Sequence, residues 1–308
     1  MIIETESLAK RYGRTDALVD LTMRVEPGEV FGFLGPNGAG KTTAVKLFLG
    51  LARPTRGGGT VLGAPLGDRA ARRRIGYLPE LFRYQPWLRA REVLELHGRL
   101  IGGCVDRSRK AIDRVLEDVG LGHRAADLVG GFSKGMQQRL GLAVALLGAP
   151  ALVVLDEPTS ALDPVGRADV RAIIRRARDA GTTVFLNSHL LTEVERVCDR
   201  VAIVDRGRVL AEGRLDDLLG AAAVRIRATD VPSDAMAALE RFGRVAASDD
   251  GWLTISGIAS SEIPDAVATI VAAGGRILAV DPGRATLEDR YFELIGGHGE
   301  GHAARGAR

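Results

Sequence analysis

Apolar residues along this chain follow two alternating periods. Short continuous runs of strand length occur at Val30–Leu34, Leu152–Leu155, Thr183–Leu186 and Val201–Val204. Between the later runs the spacing becomes helical, at about Pro164–Ala180 and Leu190–Cys198. That alternation predicts a mostly parallel sheet with helices on its faces. Upstream, Ile2–Glu4, Leu18–Val25 and Val30–Leu34 are broken by turn residues and predict a small antiparallel sheet. Arg53–Gly67 is rich in Gly and Pro and reads as loop with a short strand. Arg69–Arg74 reads as a basic helical turn entering a strand at Ile75–Leu78. From Ala90 to Val129 helical spacing returns, with Val93, Leu94, Leu96 and Leu100, then Ile112, Val115, Leu116 and Val119. Near Gly220 the character changes, and residues 224–295 read as strand, helix, hairpin, helix, strand, helix. The expected organisation is a main domain over 1–220 and an accessory α+β domain over 221–295. The tail 296–308 has no apolar pattern and is expected to be disordered.

Composition narrows this only slightly. At 308 residues the chain can bury a large core, and its net charge of +3 is small and scattered, which gives no argument for a nucleic-acid partner. Cys104 and Cys198 are far apart and match no metal or redox spacing, so reduced thiols are expected. The first residues, MIIETESLAK, contain acids and no apolar core of a secretory signal. The longest apolar run, Leu140–Leu155, is interrupted by Gly148 and Pro150 and falls short of the roughly 20 residues of a membrane span.

Chemistry concentrates at Gly35-Pro36-Asn37-Gly38-Ala39-Gly40-Lys41-Thr42-Thr43, which follows the strand Val30–Leu34 and opens a helix at Ala44–Leu49. Glycines let the backbone wrap a phosphate with its N–H groups pointing inward, and the helix N-terminus adds positive potential. The Lys41 ammonium then reaches the β- and γ-phosphates and the Thr42 hydroxyl serves Mg²⁺, so the chain is expected to bind a nucleoside triphosphate. A second apolar strand, Ala151–Leu155, ends in Asp156-Glu157. Asp156 suits the Mg²⁺ shell, and Glu157 suits a base that activates water against the γ-phosphate.

Phe132-Ser133-Lys134-Gly135-Met136-Gln137-Gln138, placed shortly before that strand, makes the resemblance specific. The chain resembles the nucleotide-binding subunit of ATP-binding cassette (ABC) transporters, whose signature motif is usually Leu-Ser-Gly-Gly-Gln. The resemblance covers essentially residues 1–295. It implies an α/β fold: a P-loop ATPase core with a mostly parallel sheet, a small antiparallel β subdomain, a helical subdomain at about 81–145 carrying the signature, and a small C-terminal α+β domain. It further implies a head-to-tail dimer in which Ser133 and Gly135 close on ATP held by the opposite subunit. Tyr12 occupies the position of an adenine-stacking aromatic residue; an ordinary half-exposed strand tyrosine is the alternative. Ser160-Ala161-Leu162-Asp163 resembles the loop coupling the two sites, and His189 stands where the family's histidine contacts the γ-phosphate. Glu157, His189 and Lys41 are the implied catalytic residues.

The sequence departs from the family pattern at Glu80, where Gln is usual, and at Lys134 and Met136. A carboxylate at Glu80 can still reach Mg²⁺ or water. Ser-Lys-Gly-Met with Leu78-Pro79-Glu80 resembles the export-type branch, as does Thr286-Leu287-Glu288-Asp289-Arg290-Tyr291-Phe292-Glu293-Leu294, which physically is a capped docking helix. The implied function is an ATPase that drives export through a separately encoded membrane permease. It would act as a homodimer or beside a related ATPase, peripheral on the cytoplasmic face of the cell membrane, with ATP and Mg²⁺. The alternatives are a soluble non-transport ABC ATPase and a regulatory nucleotide-binding module. Phe82, Tyr84, Trp87 and Leu88 read equally as core or as lining of the groove that receives the permease. Arg69, Arg72, Arg73 and Arg74 read as a solvated helix face.

Overall fold

The computed structural model describes residues 1–101, 108–160, 162–219, 223–248, 251–281, 283, 286–288, 290–292 and 294–295. Cys104, Ala161, His298, His302 and the tail lie outside them. The chain divides into two compact units between Gly213 and Arg214, ahead of the composition change at Gly220.

In the first unit the chain forms β1 (Ile3–Tyr12), β2 (Thr15–Val25), β3 (Val30–Leu34), α1 (Lys41–Phe48), β4 (Arg56–Val61), β5 (Ala64–Pro65), α2 (Arg69–Arg72) and β6 (Ile75–Leu78). It continues through α3 (Ala90–Ile101), α4 (Ser108–Asp118), α5 (Lys134–Leu146), β7 (Leu152–Asp156), α6 (Pro164–Asp179), β8 (Thr183–Asn187), α7 (Leu191–Val197), β9 (Arg200–Asp205) and β10 (Arg208–Arg214). One ten-stranded sheet has the order β5-β4-β1-β2-β10-β9-β3-β8-β7-β6. The run β9-β3-β8-β7-β6 is parallel, while β2-β1-β4-β5 is antiparallel.

This corrects one expectation. The run Val30–Leu34 does not belong to the antiparallel sheet; β3 is hydrogen-bonded between β8 and β9 in the parallel part. All five of its residues are buried, as are those of β7 and β8. Such two-sided burial is what a continuous apolar run without alternation encodes. Phe31 and Phe33 face α1, whereas Gly32 faces the other side, where an added Cβ would stand 2.8 Å from Val194 of α7. Phe185 of β8 is the hub on the α1 side, with ring centroids 5.9, 5.3 and 5.5 Å from those of Phe31, Phe33 and Phe48. Helices α3, α4 and α5 pack on one another as the expected helical subdomain.

In the second unit lie α8 (Leu215–Leu219), β11 (Ala223–Thr229), α9 (Ser233–Leu239), β12 (Arg244–Ala247), β13 (Trp252–Ser256), α10 (Ile263–Ala272) and β14 (Arg276–Asp281). The four-stranded antiparallel sheet has the order β12-β13-β11-β14, a split β-α-β arrangement that matches the element series read from the sequence. Its core joins Val224, Ile226, Leu253 and Ile255 of one sheet face to Leu239 of α9 and to Ala266 and Ile270 of α10. Leu287 is buried, and the Arg290 N–H donates to the Thr286 carbonyl, forming the helical turn expected there.

Phe185→Ala removes the ring that joins β3, β8 and α1. A loss of about 3–5 kcal/mol is expected, read from the midpoint of chemical denaturation of the first unit's transition.

Candidate functional site

Parallel register brings the ends of β3, β8 and β7 side by side. Phe33 pairs with Asn187, and Asn187 pairs with Asp156. The loop Gly35–Gly40, the polar end of β8 and the Asp156-Glu157 pair therefore share one edge, the C-terminal edge where ligands collect in open α/β sheets.

The phosphate loop is held by close backbone approaches. A Cβ on Gly35 would lie 2.3 Å from the Val204 carbonyl oxygen, and one on Gly40 would lie 2.3 Å from that of Ala17. Gly40 also takes a φ of 100° and caps α1 without a side chain, and no acid stands in the helix's first turn. The first amides of α1 thus face outward without a side-chain acceptor, a positive site for an anion. Lys41 is buried, and its Nζ donates to the carbonyls of Gly35 at 2.7 Å and Pro36 at 3.2 Å. Burial lowers its pKa, opposed by the charges of Glu157, Asp156 and Glu80. Asn37, Gly38 and Thr42 are exposed, Pro36, Gly40 and Thr43 half-buried, and Ala39 buried.

Opposite the loop stand the carboxylates. Burial raises the pKa of Asp156, and Glu80 and Glu157 push it the same way; Lys41 and a 2.5 Å hydrogen bond from Asn187 Nδ2 oppose this. The Asn187 Oδ1 is itself buried and has no hydrogen-bond partner among the described residues. Glu157 has a φ of 52°, a left-handed conformation costly for a residue with a Cβ. Its backbone is pinned: its N–H donates to the Asn187 carbonyl at 2.9 Å, and its own carbonyl accepts from Ser160 Oγ at 2.9 Å. Its carboxylate, 8% exposed as a residue, accepts from the His189 N–H at 3.0 Å and lies 2.8 Å from His189 Nδ1. His189 presents the rest of its ring to solvent, and α7 behind it is tied to α6 by the Arg171–Glu193 ion pair at 2.5 Å.

Four other sequence-predicted residues lie apart from this cluster. Glu80 is exposed just past β6, close enough to bias Lys41 and Asp156. Tyr12 ends β1 with its ring exposed, and Lys10 Nζ lies 4.8 Å from the ring centroid. Ser133 and Gly135 are not brought to the phosphate loop; with Lys134, Arg139, Asp163 and Asp169 they line a separate cavity of about 390 Å³. There Ser133 Oγ caps α5 by accepting from the Met136 N–H at 3.3 Å, and a Cβ on Gly135 would meet nothing within 4 Å. Asn187 and Ser188 went unassigned in the sequence, although two polar residues closing a wholly buried strand were the signal. Of the group after Glu80, Phe82 and Tyr84 pack together half-buried, with rings 5.4 Å apart, Leu88 is half-buried and Trp87 is 70% exposed; the neighbouring Leu81 is 87% exposed.

The raised pKa of Asp156 carries a sign. A carboxyl whose folded pKa lies above its unfolded value costs nothing below both, and costs stability progressively as pH rises through them. Without ligand, Asp156→Asn should therefore melt a few degrees higher than the parent near neutral pH, roughly 2–4 °C, with the difference vanishing in acid. Melting curves across pH measure this; equal melting temperatures at neutral pH would remove the assigned cost.

Several known proteins are similar to this chain. The family model described as ABC transporter matches residues 18–160. An uncharacterized ABC transporter ATP-binding protein of Nostoc is 40% identical over 303 residues, covering 96% of this chain and 90% of that protein. The bacitracin transport ATP-binding protein of Bacillus licheniformis is 43% identical over 220 residues, 70% of this chain and 71% of its own length. A solved ATP binding subunit of an ABC transporter superposes with a TM-score of 0.63 at 32% identity, over 71% of this chain and 92% of that one. With its phosphate loop, paired carboxylates and helical subdomain in place, the chain belongs to the ABC transporter family as an ATP-hydrolysing, ATP-binding subunit.

Proposed function

We propose that this subunit dimerises head to tail around Mg·ATP and that closure of the dimer drives export through a separate membrane permease. The observation that carries the reading is the separation of the two anion-binding helix starts. The loop before α1 lies beside Asp156 and Glu157, whereas Ser133 and Gly135 at the start of α5 line a different cavity. Among the described residues, nothing lies within 4 Å of where a Gly135 Cβ would stand. A second copy supplying its own phosphates would use that space, and a Cβ would obstruct it.

In such a composite site the backbone of residues 35–43 holds the phosphates, and Lys41 turns its ammonium from the loop carbonyls to the β- and γ-oxygens. Tyr12 stacks on the base. The donor set suits Mg²⁺: the Thr42 hydroxyl, the Asp156 carboxylate and the outlying Glu80 are hard oxygen ligands, and the raised pKa of Asp156 marks a buried anion that a cation would stabilise. Among the described residues no three His, Cys, Asp or Glu side chains could hold a metal unaided, as expected where phosphates and water complete the shell. Bound there, the ion would supply charge neutralisation on the phosphates. Glu157 takes a proton from the attacking water, and His189, hydrogen-bonded to the Glu157 carboxylate, orients it and senses the γ-phosphate. Ser133 and Gly135 complete the site from the other subunit.

In this reading the membrane-spanning helices belong to the permease; no helix among the described residues is long and apolar enough to cross a membrane. Export is favoured by the similarity to a bacitracin transport protein together with Leu-Pro-Glu and Ser-Lys-Gly-Met. Exposed Trp87 and Leu81, beside the half-buried Phe82–Tyr84 pair, form the surface offered to the permease on the cytoplasmic face.

Glu157→Gln should lower turnover roughly a hundred- to ten-thousand-fold while an ATP-bound dimer accumulates on size-exclusion chromatography. Undiminished hydrolysis would remove Glu157 from the role of base. Trp87→Ala should weaken capture of the co-purified permease about tenfold or more with hydrolysis by the isolated subunit unchanged; full retention would move the docking surface elsewhere.

A further inference from the structure

The sheet of the second unit has one face covered and one open. Val224, Ile226, Leu253 and Ile255 point to α9 and α10, so by strand alternation Arg225, Arg227, Trp252 and Thr254 point the other way. Register then fixes the neighbours on that open face. Arg227 is directly opposite Trp252 on β13 and opposite Ala279 on β14; Arg225 lies between Thr254 and Asp281; Arg244 faces Ser256, and Arg276 faces Thr229. All four arginines are exposed. Asp281 is the one acid in these paired rows.

The Arg225 guanidinium lies 4.7 Å from the centre of the Trp252 ring. Stacking of this kind fixes the plane of the guanidinium while leaving its edge of N–H donors directed outward, the geometry that binds phosphate in a forked pair. A broad antiparallel face with four arginines, one tryptophan and one acid is complementary to a layer of anionic phosphates. It is poorly suited to a second copy of itself, because arginine would meet arginine.

We propose that this open face is a membrane-contact surface that binds the headgroups of anionic phospholipids. The choice of lipid over another phosphate-bearing partner rests on the peripheral membrane role proposed above. Tryptophan beside arginine matches the interfacial zone of a bilayer, and each arginine near an anionic surface adds attraction that falls with salt. The accessory unit would then hold the subunit at the bilayer independently of the permease and of ATP.

The test is co-sedimentation of the full chain, without nucleotide or permease, with vesicles of phosphatidylcholine alone or mixed with phosphatidylglycerol. Binding is expected only to the mixed vesicles and should weaken as salt is raised. The double variant Arg225→Gln, Arg227→Gln should bind about twenty-five-fold more weakly, from roughly fivefold per arginine. Arg73→Gln with Arg74→Gln, an equal loss of charge on an exposed part of the first unit, should change binding little. Asp281→Asn should strengthen binding to the mixed vesicles and leave phosphatidylcholine vesicles unbound, whereas a misfolded chain with exposed apolar surface would pellet with both. The proposal is overturned if the chain ignores anionic vesicles, if the two double variants lose binding equally, if Asp281→Asn weakens it, or if the face captures single-stranded oligonucleotides and not vesicles. ATP hydrolysis by the same preparations, expected to be unchanged, separates failure here from failure of the transport reading.

Discussion

In-register pairing of buried parallel strands is the constraint on which the catalytic edge depends. Asp156, Asn187 and Phe33 are adjacent because β7, β8 and β3 end at the same level, and Leu78 beside Leu155 sets the exit toward Glu80. A slip by one residue would turn every side chain of a strand to the opposite face. Phe185, locked among Phe31, Phe33 and Phe48, makes that slip prohibitive. The site is therefore a by-product of how the core packs, and the loops need only supply chemistry at strand ends that are already aligned.

Electrostatics at that edge is tuned for a highly charged guest. Three carboxylates, Glu80, Asp156 and Glu157, act on the single ammonium of Lys41, whose pKa burial pulls down and they pull up. The same burial that makes Asp156 reluctant to ionise strengthens its hold on a cation. Uncapped amides at the start of α1 balance this with positive potential. Each part is unfavourable or neutral by itself and would become favourable with the proposed phosphates and cation between them, which is how differential binding is built.

Much of this was legible in the residues because it is local. The strand–loop–helix at 30–48, the acidic end of β7 and the series of elements in the second unit all follow from runs, spacing and turn residues. What periodicity could not supply was partnership at long range. The run Val30–Leu34 announces a buried strand, but nothing in it says that its neighbours are β8 and β9. Asn187 looked like the tail of a strand, and only the pairing of β7 with β8 shows that it holds Asp156. The aromatic segment after Glu80 was ambiguous because half of it packs and half is exposed, a division made by α3 and α5 and invisible in composition. Likewise, Arg225 and Trp252 are distant in sequence, and the pairing of the non-consecutive strands β11 and β13 makes them one surface.

The left-handed backbone at Glu157 separates two kinds of selection acting on one position. A chain optimised only to stay folded would place glycine or asparagine there, since either tolerates that conformation with less strain. Glutamate stands there at a cost in strain, which the proposed role of its carboxylate as base would account for. Libraries sorted for heat resistance should drift away from it, and libraries sorted for transport should not. Thermal robustness gained at this position would thus signal a transporter that has stopped working.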